Sequence, residues 1–383
     1  MHGTIESRFR VEWRPLAELA ALASEWRALA SRALEPNVFY EPAFALAAQD
    51  VFGRDVGAGL VWAQSSERRL LGLFSARIER RRYGIPLPVL VGWTHPFAPL
   101  GTPLVDCELG EAVIATWFDH LAHHPQLPKL ALFPYCQLEG PLARALDAAV
   151  ARGHGRSVSF ARHARALLAP AGAREDYLDR ALGRKKRKEL RRQRNRLADG
   201  GVVMSSSVGE PVAVARALDD FLALEASGWK GRAGTAARAH DDIRQFMAAA
   251  VAGLAGEGKA RIDRLLVDAR PIAAAVTLKS GATAWEWKIA YDETFARFSP
   301  GFQLLIDVTE GLLGDPAVAR ADSCATPDHP MIDHIWRERL VLADRLIRIG
   351  PDGSAGFAVA CALEAALRAA IAGAKAARGL LRR

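Results

Sequence analysis

The sequence predicts an α/β chain that repeats one plan twice, each copy a mixed, mostly antiparallel sheet flanked by helices. Three observations predict it. The chain has 383 residues, half of them apolar and a quarter charged, which is enough for two cores of ordinary domain size. The segment Ala169-Pro170-Ala171-Gly172-Ala173 has the small-residue and proline character of a boundary. On both sides of it the elements follow one order: strand, two helices, antiparallel strands, helix, strand.

In the first copy Phe9, Val11 and Trp13 alternate with charged neighbours as a half-buried strand does, and Pro15 opens a helical run with Leu19, Leu22, Trp26 and Leu29. A helix over Phe44 to Val51 leads into strands at Gly59 to Ala63, Leu70 to Ile78 and Leu87 to Trp93, with Ser65-Ser66-Glu67 as a hairpin turn. A helix near Ala112 to His120, a strand at Leu130 to Pro134, a helix near Leu138 to Val150 and a strand at His163 to Leu168 complete it. The second copy opens with a helix from Glu175, broken at Gly183 and continuing to Leu197. Next come a strand from Val202 and helices over Pro211 to Glu225 and Asp241 to Leu254. Strands follow at Arg261 to Val267, Ile272 to Leu278 and Ala284 to Ala290, then a helix from Gly301 to Leu313 and late strands at Ala319 to Cys324 and Arg345 to Ile349. The expected division is residues 1–170, residues 171–350 and an alanine-rich terminal helix over 351–383. No residue-by-residue repeat links the copies, so the tandem reading rests on element order.

A formal charge of +8 favours anionic partners such as a nucleotide cofactor, a phosphorylated substrate, nucleic acid or a lipid headgroup. Cys107, Cys136, Cys324 and Cys361 show no zinc or redox spacing, and residues 2–7 lack the basic and apolar stretches of an export signal. The expectation is a reducing, cytoplasmic location. The tract Phe357 to Ala377 carries Glu364, Arg368 and Lys375 among its alanines, poor material for crossing a bilayer and suited to an amphipathic helix.

The most informative stretch runs from Trp285 to Asp292 and on through Phe295-Ala296-Arg297-Phe298-Ser299-Pro300-Gly301-Phe302-Gln303. A strand passes through a turn into a helix. Pro300 suits a first helical turn and Gly301 permits close approach to the backbone, so free N–H groups and the helix dipole would face a phosphate, with Arg297 adding positive charge. The same residues also suit a plain strand-to-helix turn.

From Arg184 to Arg196 nearly every residue is Lys or Arg, over a thin stripe of Leu178, Leu182, Leu190 and Leu197. One face packs and the rest is positive, a surface for phosphates of coenzyme A, a nucleotide sugar, transfer RNA or an anionic membrane. It holds no aromatic residue for base stacking, which argues against sequence-specific RNA reading.

The chain resembles the GNAT superfamily of acyltransferases, and within it the branch of cellulose-biosynthesis acetyltransferases that lies near the Fem-type peptidyltransferases. Leu190 to Leu197, Leu224 to Gly231 and the block from Trp287-Lys288 to Pro300-Gly301 carry the likeness, and Asp322, His329-Pro330 and Asp333 to Trp336 look like the branch's terminal signature. The resemblance implies tandem GNAT-like folds, a degenerate first copy supporting the acceptor, and a second copy that takes acetyl-CoA or another acyl-CoA. In the superfamily the loop after the fourth strand reads Arg or Gln, two residues, Gly, one residue, then Gly or Ala, and its amides bind pyrophosphate. Here Arg297 precedes Gly301 by four residues and Gln303 stands at the small position. Arg297, Ser299, Gly301, Phe302 and Gln303 are accordingly the candidate cofactor residues.

Acyl transfer to an amine needs a base and a donor to the developing oxyanion. Glu286, Tyr291 and Asp322 are the candidates. Strand alternation would put Glu286 and Lys288 on one face and Trp285, Trp287 and Ile289 on the other. Trp229 and Lys230, ahead of a flexible Gly231 to Gly234 stretch, suit an acceptor lid, and Trp287 and Lys288 join them as candidate substrate contacts. Trp229 closing a core and Lys230 pointing to water are the alternatives. Cys324 has no local His partner for covalent catalysis. His120 and His124 lack further ligands for a metal, so none is expected. No Gly-x-Ser-x-Gly elbow or Walker loop is present. Trp93-Thr94-His95-Pro96 and Asn37-Val38-Phe39-Tyr40 suit either an acceptor groove or core packing.

The expected function is transfer of an acyl group, acetyl first, to an amine or hydroxyl of a sugar, peptide or cell-envelope precursor. Polysaccharide biosynthesis is the setting, and peripheral attachment to the inner membrane is compatible with it. Aminoacyl transfer from transfer RNA and a non-catalytic polyanion or polysaccharide-synthase binding protein are the alternatives.

Overall fold

A computed structural model describes residues 8–65, 68–351 and 354–381. Ser66 and Glu67 of the expected hairpin turn, and residues 1–7, lie outside them. The first half runs β1 (Phe9–Pro15), α1 (Ala23–Ser31), α2 (Pro42–Phe52), β2 (Val56–Ala63), β3 (Leu70–Glu79), β4 (Val89–Gly92), β5 (Leu104–Val105), α3 (Gly110–His123), β6 (Leu130–Gln137), α4 (Pro141–Arg152) and β7 (Arg156–Leu168). The second runs α5 (Tyr177–Ala181), α6 (Arg184–Ala198), β8 (Val203–Val208), α7 (Pro211–Ser227), α8 (Trp229–Arg232), α9 (Asp241–Gly256), β9 (Ala260–Val267), β10 (Arg270–Ser280), β11 (Thr283–Tyr291), α10 (Pro300–Gly314), β12 (Arg320–Asp322), β13 (Glu338–Arg348) and α11 (Ser354–Leu381).

Two compact units form, and neither is contiguous. The first comprises the chain up to Tyr40, Gly53–His163 and the chain from Val341 on; the second comprises Glu41–Phe52 and Ala164–Leu340. The chain passes from the first unit to the second between His163 and Ala164, inside β7. Two segments depart from a sequential division: α2 belongs to the second unit, and β13 with α11 belongs to the first.

The repeated plan is visible in the sheets. In the first unit the strand order is β1-β2-β3-β4-β6-β13, with β5 on β3. The run β1 to β4 is antiparallel, β4 and β6 are parallel, and β13 returns antiparallel against β6. The second unit orders its strands β8-β9-β10-β11-β12-β7. It too has an antiparallel run, then the parallel pair β11 and β12, then β7 antiparallel. Each unit thus closes with a strand from the other half of the sequence. The late strand expected to finish the second copy is β13, and it finishes the first unit.

The second unit's core gathers Leu190 and Leu197 of α6 with Leu265, Ala275, Leu304 and Leu305, among others. The leucine stripe of the basic helix packs there as its spacing predicts. On the opposite sheet face α2 packs on α9, with Phe44 edge-on to Phe246 at 5.4 Å and to Trp287 at 5.6 Å. Buried Glu41 fixes the start of α2, accepting from Lys259 Nζ at 2.9 Å and Ser280 Oγ at 2.6 Å.

Candidate active site of the second unit

β11 and β12 pair in parallel through Thr283 with Arg320, Ala284 with Ala321 and Trp285 with Asp322, and the register ends there. β11 runs on to Tyr291, whereas β12 stops at Asp322 and the following Ser323 N–H turns to the Ala166 carbonyl of β7 at 3.2 Å. Two parallel strands therefore part, and the residues past Trp285 on one side and Asp322 on the other border the opening.

A bulge decides what faces where. Val276 of β10 is opposite Lys288, while the adjacent Thr277 is opposite Glu286, so Trp287 is the extra residue. A bulge breaks the two-residue alternation. Glu286 lies with Thr277 and Arg261, which are themselves register partners, on the face covered by α10. Lys288 lies on the other face, near Glu225 and Lys230 of α7 and α8. The shared face expected for Glu286 and Lys288 is corrected accordingly, and Ile289, expected alongside Trp287, packs instead into the α10-side core.

Both groups are held where charge is costly. Glu286 is 4% exposed; its carboxyl accepts from Thr277 Oγ1 at 3.1 Å and its Oε1 has no hydrogen-bond partner among the described residues. Burial pushes its pKa up to about 8, the Asp263 charge adds to this, and the Thr277 bond and Arg261 oppose it. Burial brings the Lys288 ammonium down to about 8, with Lys230 adding repulsion and Glu225 opposing it. Thr277 and Arg261 also line a cavity of about 180 Å³ with Lys259 and Lys279.

The other candidate catalytic residues are placed differently. Asp322 is buried, accepts from Arg165 and binds the Cys324 N–H at 3.0 Å, so both its oxygens hold the end of β12. Tyr291 is 38% exposed, and a Cβ on Gly301 would come within 2.9 Å of its ring. The Tyr291 ring thus leaves no room for a side chain at 301, which is a packing reason for glycine there. Burial, reinforced by the Asp322 charge, drives the Cys324 thiol well above its ordinary pKa, which removes it as a nucleophile.

The expected phosphate turn exists in part. Ser299 is left-handed at φ 52° and ψ 51°, Pro300 occupies the first turn of α10, and no side chain caps that turn. The Gln303 N–H returns to Ser299 O at 3.0 Å and its side chain donates to Phe298 O at 2.7 Å, so Gln303 braces the loop. Exposed Arg297 lies over the Phe298 ring. The basic helix flanks this turn, with Lys186 Nζ 5.1 Å from the Phe302 ring and Gln193 reaching the Arg297 carbonyl at 3.5 Å. Arg184, Lys185, Lys188, Arg191, Arg192 and Arg196 are exposed and form no ion pair among the described residues.

Of the expected substrate contacts, Trp229 is 61% exposed, which excludes a core role, and its N–H binds Glu293 at 2.8 Å. Lys230 pairs with Glu225 at 2.6 Å rather than pointing freely to water. Trp287 is 4% exposed and packs on Phe44 and Phe246, a core position. The Gly231 stretch is a helical turn, and a Cβ at Gly231 would lie 1.7 Å from the Ala226 carbonyl oxygen, so the glycine serves packing. In the terminal signature Trp336 is buried and donates to Thr309 of α10 at 2.9 Å, while His329 accepts the Met331 N–H at 3.3 Å. In the first unit Asn37 bonds the Leu100 and Thr102 carbonyls and Tyr40 bonds the Trp93 carbonyl, so both motifs there brace the fold. Among the described residues no cluster could hold a metal ion. Sequence reading missed Thr277, Asp263, Arg261 and Glu225; the strand register brings the first three to Glu286 and the packing of α7 brings Glu225 to Lys288, and no local pattern reveals either.

This arrangement, an antiparallel run, a splayed parallel pair and a helix opening after the longer strand, has known counterparts. Residues 184–325 match the family described as Acetyltransferase (GNAT) domain. The matched stretch runs from α6 through β12 and includes every candidate catalytic and cofactor residue. No curated protein matches the sequence. The chain is similar in fold to FemX, with 8% identity and a TM-score of 0.57 over 85% of this chain and 96% of that one. It is similar to a conserved protein of unknown function from Bacteroides thetaiotaomicron, with 9% identity and a TM-score of 0.53 over 88% and 99%. L-PGS from Bacillus licheniformis shares 12% identity and a TM-score of 0.50 over 91% and 96%. At such identities the likeness is one of fold.

Proposed function

We propose that the second unit is an acyltransferase that works at the parting of β11 and β12, with acyl-CoA as donor and an amine or hydroxyl of a sugar, peptide or cell-envelope precursor as acceptor. One observation carries the reading: Glu286 and Lys288, one on each face of β11 beside the opening, are both poised near pH 8. Glu286 takes the acceptor's proton through its unpartnered Oε1, and Thr277 links it to the neighbouring cavity as a route for that proton. Lys288, protonated, stabilises negative charge on the acyl oxygen. Tyr291, partly exposed at the end of β11, is the candidate donor of a proton to the leaving thiolate, and Asp322 positions the end of β12.

Acyl-CoA would supply the thioester. The uncapped first turn of α10, Arg297 and Lys186 suit its diphosphate, with Ser299 and Phe302 shaping the turn and Gln303 bracing it. Trp229 and Lys230 border the acceptor side near Lys288. The sequence likeness around Asp333 to Trp336 is what suggests the cellulose-biosynthesis branch, and with it a cytoplasmic role in polysaccharide biosynthesis and a first unit that supports the acceptor.

The unpaired cations of α6 beside the same turn favour one second reading, an aminoacyl group delivered on transfer RNA. Calorimetric titration with acetyl-CoA tests the first reading: saturable binding, lost in Arg297→Ala, is expected, and no binding together with no thermal shift at high excess would overturn it. Ribonuclease treatment of a lysate assay that abolishes transfer would select the second reading. Polyanion binding without turnover of any acyl donor would leave only a binding protein.

A further inference from the structure

The terminal helix α11 has its polarity reversed. Between residues 355 and 374 the only charged side chains are Glu364 and Arg368, and both turn toward the first unit. Glu364 is buried and accepts from Arg82 Nε at 2.8 Å and the Tyr83 hydroxyl at 3.0 Å. Arg368 pairs with Asp344. Phe357 and Ala360 complete the buried stripe against Val89, Leu130 and Leu346. Every exposed position from Ala355 to Ala374 is Ala, Gly, Val or Ile, with Val359 at 43% and Ile371 at 40% exposure. A surface helix normally does the opposite.

Charge surrounds this face. The Arg82–Ile85 hairpin sits beside α11 through the Tyr83 to Glu364 bond, and it presents exposed Tyr83 and Ile85 next to Arg80 and Arg81. Those two arginines form no ion pair among the described residues. In sequence, Lys375, Arg378, Arg382 and Arg383 follow residue 374. By length and composition α11 could also cross a membrane. Crossing would pull Glu364 and Arg368 from Arg82 and Asp344 into hydrocarbon, at high cost. A second copy on the same face would bring two basic rims together, which is repulsive. An apolar face edged by an interfacial tyrosine and by cations matches a surface of anionic lipid.

We propose that the outward face of α11 and the Arg80–Ile85 segment form an in-plane docking surface for an anionic lipid bilayer. Alanine supplies little apolar area, so attachment is reversible and depends on lipid charge. The test is flotation of the full chain with vesicles of phosphatidylcholine alone or mixed with phosphatidylglycerol, at low and high salt. Binding is expected only to the mixed vesicles, and it weakens with salt. Arg80→Gln and Arg81→Gln should each weaken it about fivefold, and Val359→Glu with Ile371→Glu about tenfold or more. Circular dichroism confirms that each variant is folded; the arginine variants, on an exposed turn, keep the test open should the helix variants misfold. Absence of binding to either vesicle, or equal binding to both that ignores Arg80 and Arg81, would overturn the proposal. So would self-association in sedimentation that the glutamate variants abolish, because the covering partner would then be a second copy.

Discussion

Glu286→Gln isolates the central electrostatic claim, because glutamine preserves shape and the Thr277 bond while removing the ionisation. The Glu286 pKa stands at about 8 against a reference of 4.5. A folded-state value raised above the unfolded one means that folding favours the proton: the stabilisation is fully present below 4.5 and is lost as the pH rises through about 8. At about 1.4 kcal/mol per tenfold change in proton affinity, the whole swing is on the order of 5 kcal/mol, with relaxation and coupling to Asp263 reducing it. Guanidinium unfolding of wild type and variant, followed by tryptophan fluorescence between about pH 4 and pH 9, gives the difference directly. The variant should match wild type at the acid end and become progressively more stable than it toward the alkaline end, while losing activity by about a hundredfold or more. A stability difference that is flat with pH would refute the held-neutral carboxyl, and unchanged turnover would refute its role as base.

The remaining expectations use the same geometry. The pH profile of turnover should be a narrow bell centred near 8, since Glu286 must lose a proton and Lys288 must keep one; Lys288→Arg should move the alkaline limb upward, measurable in a thiol-release assay. Gly301→Ala drives a methyl into the Tyr291 ring, 2.9 Å away, and should cost about 1–3 kcal/mol by chemical denaturation. Glu41→Ala strips Lys259 and Ser280 of a buried partner and should destabilise the second unit by about 3 kcal/mol, although residue 41 lies far earlier in the sequence. Replacing Arg184, Lys185 and Lys188 with Gln should leave the unfolding free energy within about 0.5 kcal/mol and flatten the salt dependence of donor affinity.

Much of the candidate site was legible because it is local. The Lys and Arg run, the break at Gly183 and Pro300 at a helix start each act through their own neighbours, and α6 and α10 form where those signals put them. Glu286 stood out as an acid amid apolar strand residues. What alternation could not supply is the bulge at Trp287, since a bulge depends on how β10 pairs with β11. Trp287 likewise reads as a substrate aromatic until Phe44 and Phe246 arrive from distant helices.

Sequence alone determined the order and kind of most elements, the short β5 and α8 excepted, because helix caps, turn residues and apolar periods work over a few residues. It also determined the excess positive charge and its concentration in one helix. The tertiary structure alone decided which half each closing strand joins, which face of β11 each ionisable group occupies, and that α11 keeps its charges inward. Those outcomes depend on long-range pairing and desolvation, energies that come into being only when segments far apart in the chain meet.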